Sequence, residues 1–85
     1  MTLDILTPEL KVFSGEVYAV NLPGTEGGFE VLEKHAPLVS NLSKGYVTIR
    51  KTAKDKDEEK FLIEGGIIEV LNNKVVVLAD AVLKQ

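Results

Sequence analysis

The stretch Phe61-Leu62-Ile63-Glu64-Gly65-Gly66-Ile67-Ile68-Glu69-Val70-Leu71-Asn72-Asn73-Lys74-Val75-Val76-Val77-Leu78-Ala79 decides the fold. Its apolar residues fall into three short runs divided by Gly65-Gly66 and Asn72-Asn73, and Val and Ile dominate them, as suits strands rather than helices. A two-residue Asn-Asn linker fits a type I′ turn, whose central residues need the positive φ that asparagine tolerates. Upstream, Tyr46-Val47-Thr48-Ile49-Arg50 alternates Val47 and Ile49 against Tyr46 and Thr48, so residues 46 to 79 read as a meander. Between these strands, the run Arg50 to Lys60 mixes charges of both signs around nothing apolar larger than Ala53, which predicts a solvated hairpin tip.

The same period continues toward the start of the chain. Leu3 and Ile5 alternate with Thr2 and Asp4 until Pro8, which lacks the N–H a strand would donate. Val12-Phe13 is followed by an expected turn at Ser14-Gly15, and residues 16 to 22 alternate as a further strand. Pro23-Gly24-Thr25-Glu26-Gly27-Gly28 reads as an exposed loop, since glycine supplies positive φ and proline presets a turn. Phe29 and Val31 form a short strand, Glu33 to Pro37 an irregular connection, and Leu38, Val39 and Leu42 a return to the core. No helical-period segment of useful length occurs. The expectation is an all-β fold, a small β-sandwich or flattened barrel forming one domain over residues 1–85. Phe29, Val31, Val47, Ile49, Ile63, Val70, Val77 and Leu78 are its expected buried residues.

Composition narrows function by exclusion. At 85 residues, 45% hydrophobic and 27% charged, the chain has the makeup of a folded domain rather than a disordered one. Its net charge of −3 at pH 7 gives no electrostatic footprint for nucleic acid or anionic lipid. With no cysteine and one histidine, disulfides, thiolate catalysis and the usual zinc sites lack their ligands. No apolar run approaches the roughly 20 residues needed to span a bilayer as a helix. Met1-Thr2-Leu3-Asp4 places an acid where a signal peptide carries its basic residues, so an untargeted, reducing compartment is expected.

Few groups remain for chemistry. As a general base, His35 would need an orienting carboxylate and a nucleophile, with Glu33 and Ser40 nearest in sequence, and a loop histidine facing backbone or a partner is the simpler reading. Gly24, Gly27 and Gly28 are not followed by the Gly-Lys-Ser/Thr of a phosphate loop. The acids Asp55, Asp57, Glu58 and Glu59 lack calcium-loop spacing, so no metal is assigned. Lys56, between Asp55 and Asp57, is similar to the modified lysine of lipoyl and biotinyl carrier domains. A carrier modified at Lys56 is the alternative reading, although the flanking residues and the missing internal symmetry favour a solvated turn lysine. A sugar- or peptide-binding sandwich would show more exposed aromatics than three Phe, two Tyr and no Trp provide.

Phe13-Ser14-Gly15, Leu22-Pro23-Gly24 through Gly27-Gly28-Phe29, His35-Ala36-Pro37-Leu38, Gly45, Gly65-Gly66-Ile67 with Glu69-Val70, and Val77-Leu78-Ala79-Asp80-Ala81 occur in an order that resembles the epsilon subunit of the F-type ATP synthase. The resemblance spans essentially the whole chain. It implies an N-terminal β-sandwich of about ten short strands, low on the central stalk, that catalyses nothing and couples proton flow to ATP synthesis by linking the gamma subunit to the c-ring. The positions matching the c-ring-facing turns are Thr7, Thr25, Glu26, Gly27, Gly28 and His35, with Gly28 standing where relatives carry an acid. Tyr46 matches a position turned toward gamma. The implied location is peripheral, on the cytoplasmic face of the bacterial inner membrane or the equivalent organellar face, as part of F1. Family members commonly continue into two inhibitory helices, some of which bind ATP. Only Val82-Leu83-Lys84-Gln85 follow Ala81 here, so residues 1–85 are expected to bind no nucleotide and no cofactor, and not to inhibit ATP hydrolysis.

Overall fold

The computed structural model describes residues 1–54 and 58–84, and among these every regular element is a strand. They are β1 (Thr2–Leu6), β2 (Lys11–Glu16), β3 (Ala19–Gly24), β4 (Gly27–Leu32), β5 (Leu38–Leu42), β6 (Gly45–Arg50), β7 (Glu59–Ile63), β8 (Gly66–Leu71), β9 (Lys74–Ala79) and β10 (Val82–Lys84). They join in one curled sheet with the order β10-β7-β6-β3-β5-β8-β9-β1-β2, and β4 pairs with β3 off that path. Lys56 lies outside the described residues.

Strand β3 turns the sheet's corner. Ala19, Val20 and Asn21 pair with β6, whereas Gly24, farther along the same edge, pairs with Leu42 of β5. Pro23 sits between the two partners and cannot donate, but its carbonyl accepts from the Ser43 amide at 2.8 Å and the Ser43 hydroxyl at 3.2 Å. The corner is so tight that a Cβ on Gly45 would stand 2.7 Å from Pro23 Cβ. This is why glycine opens β6.

The curl wraps one dry core. Leu3, Ile5, Val20, Leu22, Val31, Val47, Ile49, Ile63, Ile68, Val70, Val75 and Val77 are almost wholly shielded, and Phe13, Phe29, Leu38 and Val82 pack against them. Burial of side chains of this size contributes about 1.5 to 3 kcal/mol each. The Phe13 and Phe61 rings meet edge to face at 6.0 Å, bringing β2 toward β7 across the opening of the curl. Asn72 and Asn73 form the β8–β9 turn with φ of 52° and 61°, as type I′ geometry requires.

Several local expectations are corrected. Leu78 is 50% exposed, because its neighbour Val77 points inward and successive strand residues point to opposite faces. Val39 is 66% exposed for the same reason, with Leu38 and Leu42 on the inward parity of β5. Ser14-Gly15 is no turn but part of β2, where Ser14 pairs with Asp4 and Gly15 with Leu3; the chain bends instead at Val17-Tyr18. The strand read as starting at residue 16 therefore starts at Ala19. The glycine-rich segment 23–28 is mostly strand as well, since the β3–β4 ladder runs to the Gly24–Gly27 pair and leaves only Thr25 and Glu26 as a two-residue turn.

Candidate functional site

Among the described residues no polar or charged side chain is buried, so anything the molecule recognises meets its surface. Nor do any three His, Cys, Asp or Glu among those residues stand close enough to hold a metal ion. The ends of the strands form two rims. Leu6 stands beside Leu78, Ala79 beside Gly66, Gly66 beside Leu42 and Leu42 beside Gly24, so the loop after β1 and the β3–β4 turn share one rim. The opposite rim carries Met1, Glu33 to His35 and the Asn72-Asn73 turn.

This geometry divides the residues that the sequence singles out. Thr7 closes the loop after β1, its amide donating to the Leu10 carbonyl at 2.9 Å and its hydroxyl accepting from the Leu10 amide at 3.2 Å. Thr25 and Glu26 form the β3–β4 turn, with the Thr25 amide donating to the Asn41 carbonyl at 3.3 Å, and Gly27, at φ 126°, and Gly28 lead into β4. These share the first rim. His35 lies past the far end of β4, about 17 Å along the strand at the usual rise per residue. Its amide donates to the Leu32 carbonyl at 3.2 Å, and its Nδ1 stands 2.7 Å from the Ala36 carbonyl.

Near His35, the Met1 ammonium contacts the Glu33 carboxylate, and Glu16 stands 3.6 Å away. Its hydrogen bond to the Glu33 carboxylate holds the amine above its ordinary value of 8.0, outweighing the opposing effect of burial. The amine in turn holds the Glu33 carboxyl below its ordinary value of 4.5, helped by a hydrogen bond from Asn73 Nδ2. The Asn73 side chain also accepts from the Lys34 amide at 2.7 Å, so one asparagine ties the β4–β5 connection to the β8–β9 turn.

Tyr46 is 48% exposed on the outer face of β6, in an open hollow of about 580 Å³ that it shares with Asn21, Pro23, Gly28, Glu30 and Ser43. Residues the resemblance assigns to different partners, Gly28 and Tyr46, thus border one depression.

The outer face of β5, β8, β9 and β1 is a feature that the sequence reading passes over. Ile67 lies directly across from Leu78, and Leu78 from Leu6; Val39 and Val76 flank Glu69 in the next row. Leu71 is half exposed at the far end. The result is a contiguous outward apolar surface with one carboxylate inside it, of a kind that marks interaction sites. Its signal was present in the period-two parity: once Val77 and Ile68 are assigned inward, Leu78 and Ile67 have to face outward.

Comparison with known proteins identifies the class to which this shape belongs. The family model for the delta/epsilon chain of ATP synthase, β-sandwich domain, matches residues 1–85. ATP synthase epsilon chains from Chlorobium limicola and Chlorobaculum tepidum are each 46% identical, over 80 and 81 residues that take in 94% and 95% of this chain and 89% and 90% of theirs. The chain belongs to the ATP synthase delta/epsilon family, whose members are subunits rather than catalysts. Two solved assemblies carry the same fold. A chain in the central stalk and c-ring structure of the Tetrahymena thermophila mitochondrial ATP synthase superposes with TM-score 0.82 at 18% identity, over 98% of this chain and 65% of that one. A chain of the Euglena gracilis mitochondrial ATP synthase gives 0.86 at 20% identity, over 96% of this chain and 51% of that one.

Proposed function

We propose that the domain is a coupling piece of the central stalk of a proton-translocating ATP synthase, holding the gamma subunit with one surface and the c-ring with another. The outward apolar surface of Val39, Ile67, Leu78, Leu6 and Val76 carries this reading. A sheet face that leaves such residues in water gains from a permanent partner, and gamma is the partner that the family implies. The c-ring contact falls to the polar, turn-rich rim of Thr7 and Thr25 to Gly28, where backbone approaches the surface and core packing contributes little. His35, at the other rim, cannot join the same small contact. It contributes where a partner embraces both ends of β4. Tyr46 remains the second candidate for touching gamma, through the hollow it shares with Gly28. In this reading the domain sits peripherally on the cytoplasmic face of the bacterial membrane or its organellar equivalent, and none of its residues performs chemistry.

Co-purification with a tagged gamma subunit and with the assembled c-ring tests the assignment. A lysine in place of Val39 or Leu78 should abolish capture by gamma with little change in melting temperature, and Tyr46→Lys should have the smaller effect. Unimpaired capture by both apolar-face variants would overturn the gamma assignment. Loss only in Tyr46→Lys would move it to the hollow.

A further inference from the structure

Among the described residues, β2, β10 and β4 are the strands paired on one side only, and their free edges are not equally protected. Free edges invite pairing with another chain, and proteins blunt them with lysine, proline, bulges or brevity. β2 opens with Lys11, and its pairing with β1 shifts register beyond Ile5. β10 is three residues long, with a register shift of its own. β4 has none of these guards: it runs six residues in unbroken register with β3 and contains neither lysine nor proline.

The groups that β4 presents follow from the turn. A two-residue connection makes Gly24 and Gly27 a doubly hydrogen-bonded pair, so by alternation Phe29 and Val31 also direct their amides and carbonyls to β3. Gly28, Glu30 and Leu32 direct theirs away from the sheet. The Leu32 carbonyl is taken by the His35 amide. Among the described residues, the N–H and C=O of Gly28 and Glu30 and the N–H of Leu32 have no partner. From Thr25 to Glu33 the ribbon carries Glu26, Glu30 and Glu33 and no Lys or Arg. Among the described residues, the Met1 amine and Asn73 engage Glu33, whereas Glu26 makes no ion pair and Glu30 has only a 3.9 Å approach to the partly exposed Arg50.

We infer that the β4 edge accepts an extended, basic segment of another polypeptide as an added strand. Main-chain bonds at Gly28, Glu30 and Leu32 would supply the pairing, and a Lys or Arg opposite Glu30 the polarity. Because Gly28 has no side chain, a neighbouring backbone can come close beside the Tyr46 hollow. A second copy fits less well, since pairing two β4 edges about Glu30 sets that carboxylate against itself. The inference rests on the functional reading above, as the assembled synthase is where such a segment would be met.

Amide exchange resolved residue by residue by NMR, on the labelled chain alone and after assembly into the synthase followed by quench and extraction, tests it. Strand addition slows the Gly28, Glu30 and Leu32 amides by about tenfold or more, while Gly27, Phe29 and Val31, already bonded to β3, change little. Glu30→Lys should remove the added protection without altering the free chain's exchange, and Glu30→Pro should do the same by deleting the edge donor. Uniform protection across β4, or none, in a chain that still assembles would overturn the strand addition. Protection that instead follows concentration-dependent dimerisation of the free chain would assign the edge to a second copy and also overturn it. Failure to assemble with gamma and the c-ring would strike the functional reading itself, and the inference with it.

Discussion

Ile67 and Ile68 are adjacent and chemically identical, yet they sit on opposite faces of β8, and truncating each to alanine should have crossed consequences. Ile68 is completely shielded and packs among Val70, Val75 and Val77, whereas Ile67 is 37% exposed beside Leu78. Removing the buried side chain costs about 2 to 5 kcal/mol through lost transfer energy and the cavity left behind. A domain of this length has a stability of roughly 4 to 13 kcal/mol, so Ile68→Ala consumes a large part of it. At about 4 to 8 °C per kcal/mol, its melting temperature should fall by roughly 10 °C or more. Ile67→Ala should stay within about 0.5 to 1 kcal/mol of the parent. Pull-down by gamma should invert that order: Ile67→Ala weakens it while the domain remains folded, and Ile68→Ala, tested well below its own melting point, retains it. Calorimetry and the pull-down on both variants are sufficient. Equal losses of stability would refute the assignment of faces, and undiminished capture of Ile67→Ala would refute the role of the outer face.

Other expectations follow from local geometry. Asn73→Val should destabilise by about 1 to 2 kcal/mol, since a β-branched residue resists the left-handed conformation that the turn requires, and the variant also loses the ties to Lys34 and Glu33; chemical denaturation measures the sum. Gly45→Ala should cost about 1 to 3 kcal/mol by forcing a methyl against Pro23, whereas Gly28→Ala, whose Cβ would meet only the Leu22 carbonyl at 3.5 Å, should melt like the parent. The pairing of Glu33 with the Met1 amine should leave a signature in melting temperature against pH. Glu33 is lowered from 4.5, so its contribution is full above that pH and fades as pH falls through the folded value; the amine is raised from 8.0, so its contribution is full below that pH and fades as pH rises through the folded value. The difference between parent and Glu33→Gln should therefore be widest between these limits, and a pH-independent difference would exclude the pairing as its source.

Strand content was legible because the informative signals are local. Asn72-Asn73 announced its own turn, and Val47/Ile49 and Leu3/Ile5 declared their faces by alternation. Leu78 and Val39 were misassigned because hydrophobicity alone marks a residue as a candidate for burial, while parity decides which member of an apolar pair goes inside. Ser14-Gly15 and the glycines at 24, 27 and 28 have the composition of loops, but a partner strand on one side stabilises them as ladder residues, and that pairing is long-range information. The same holds for the candidate contacts. Thr25 and His35 flank the same short strand in sequence, yet an extended β4 places them on opposite rims. The outer face of β8 and β9 emerges only after the register sets Ile67 against Leu78.

Among the described residues, the parallel ladder is the pairing of β1 with β9, which joins Thr2 through Leu6 to Lys74 through Leu78. A growing polypeptide makes β1 first and its partner almost last. At about 5 to 20 residues per second, synthesis leaves the second edge of β1 without its mate for on the order of 3 to 14 seconds. Leu3 and Ile5, fully shielded in the finished domain, are exposed to whatever meets the nascent chain during that interval. The domain therefore cannot seal as it emerges from the ribosome, and a slowly translated message should raise its demand for chaperones more than a fast one.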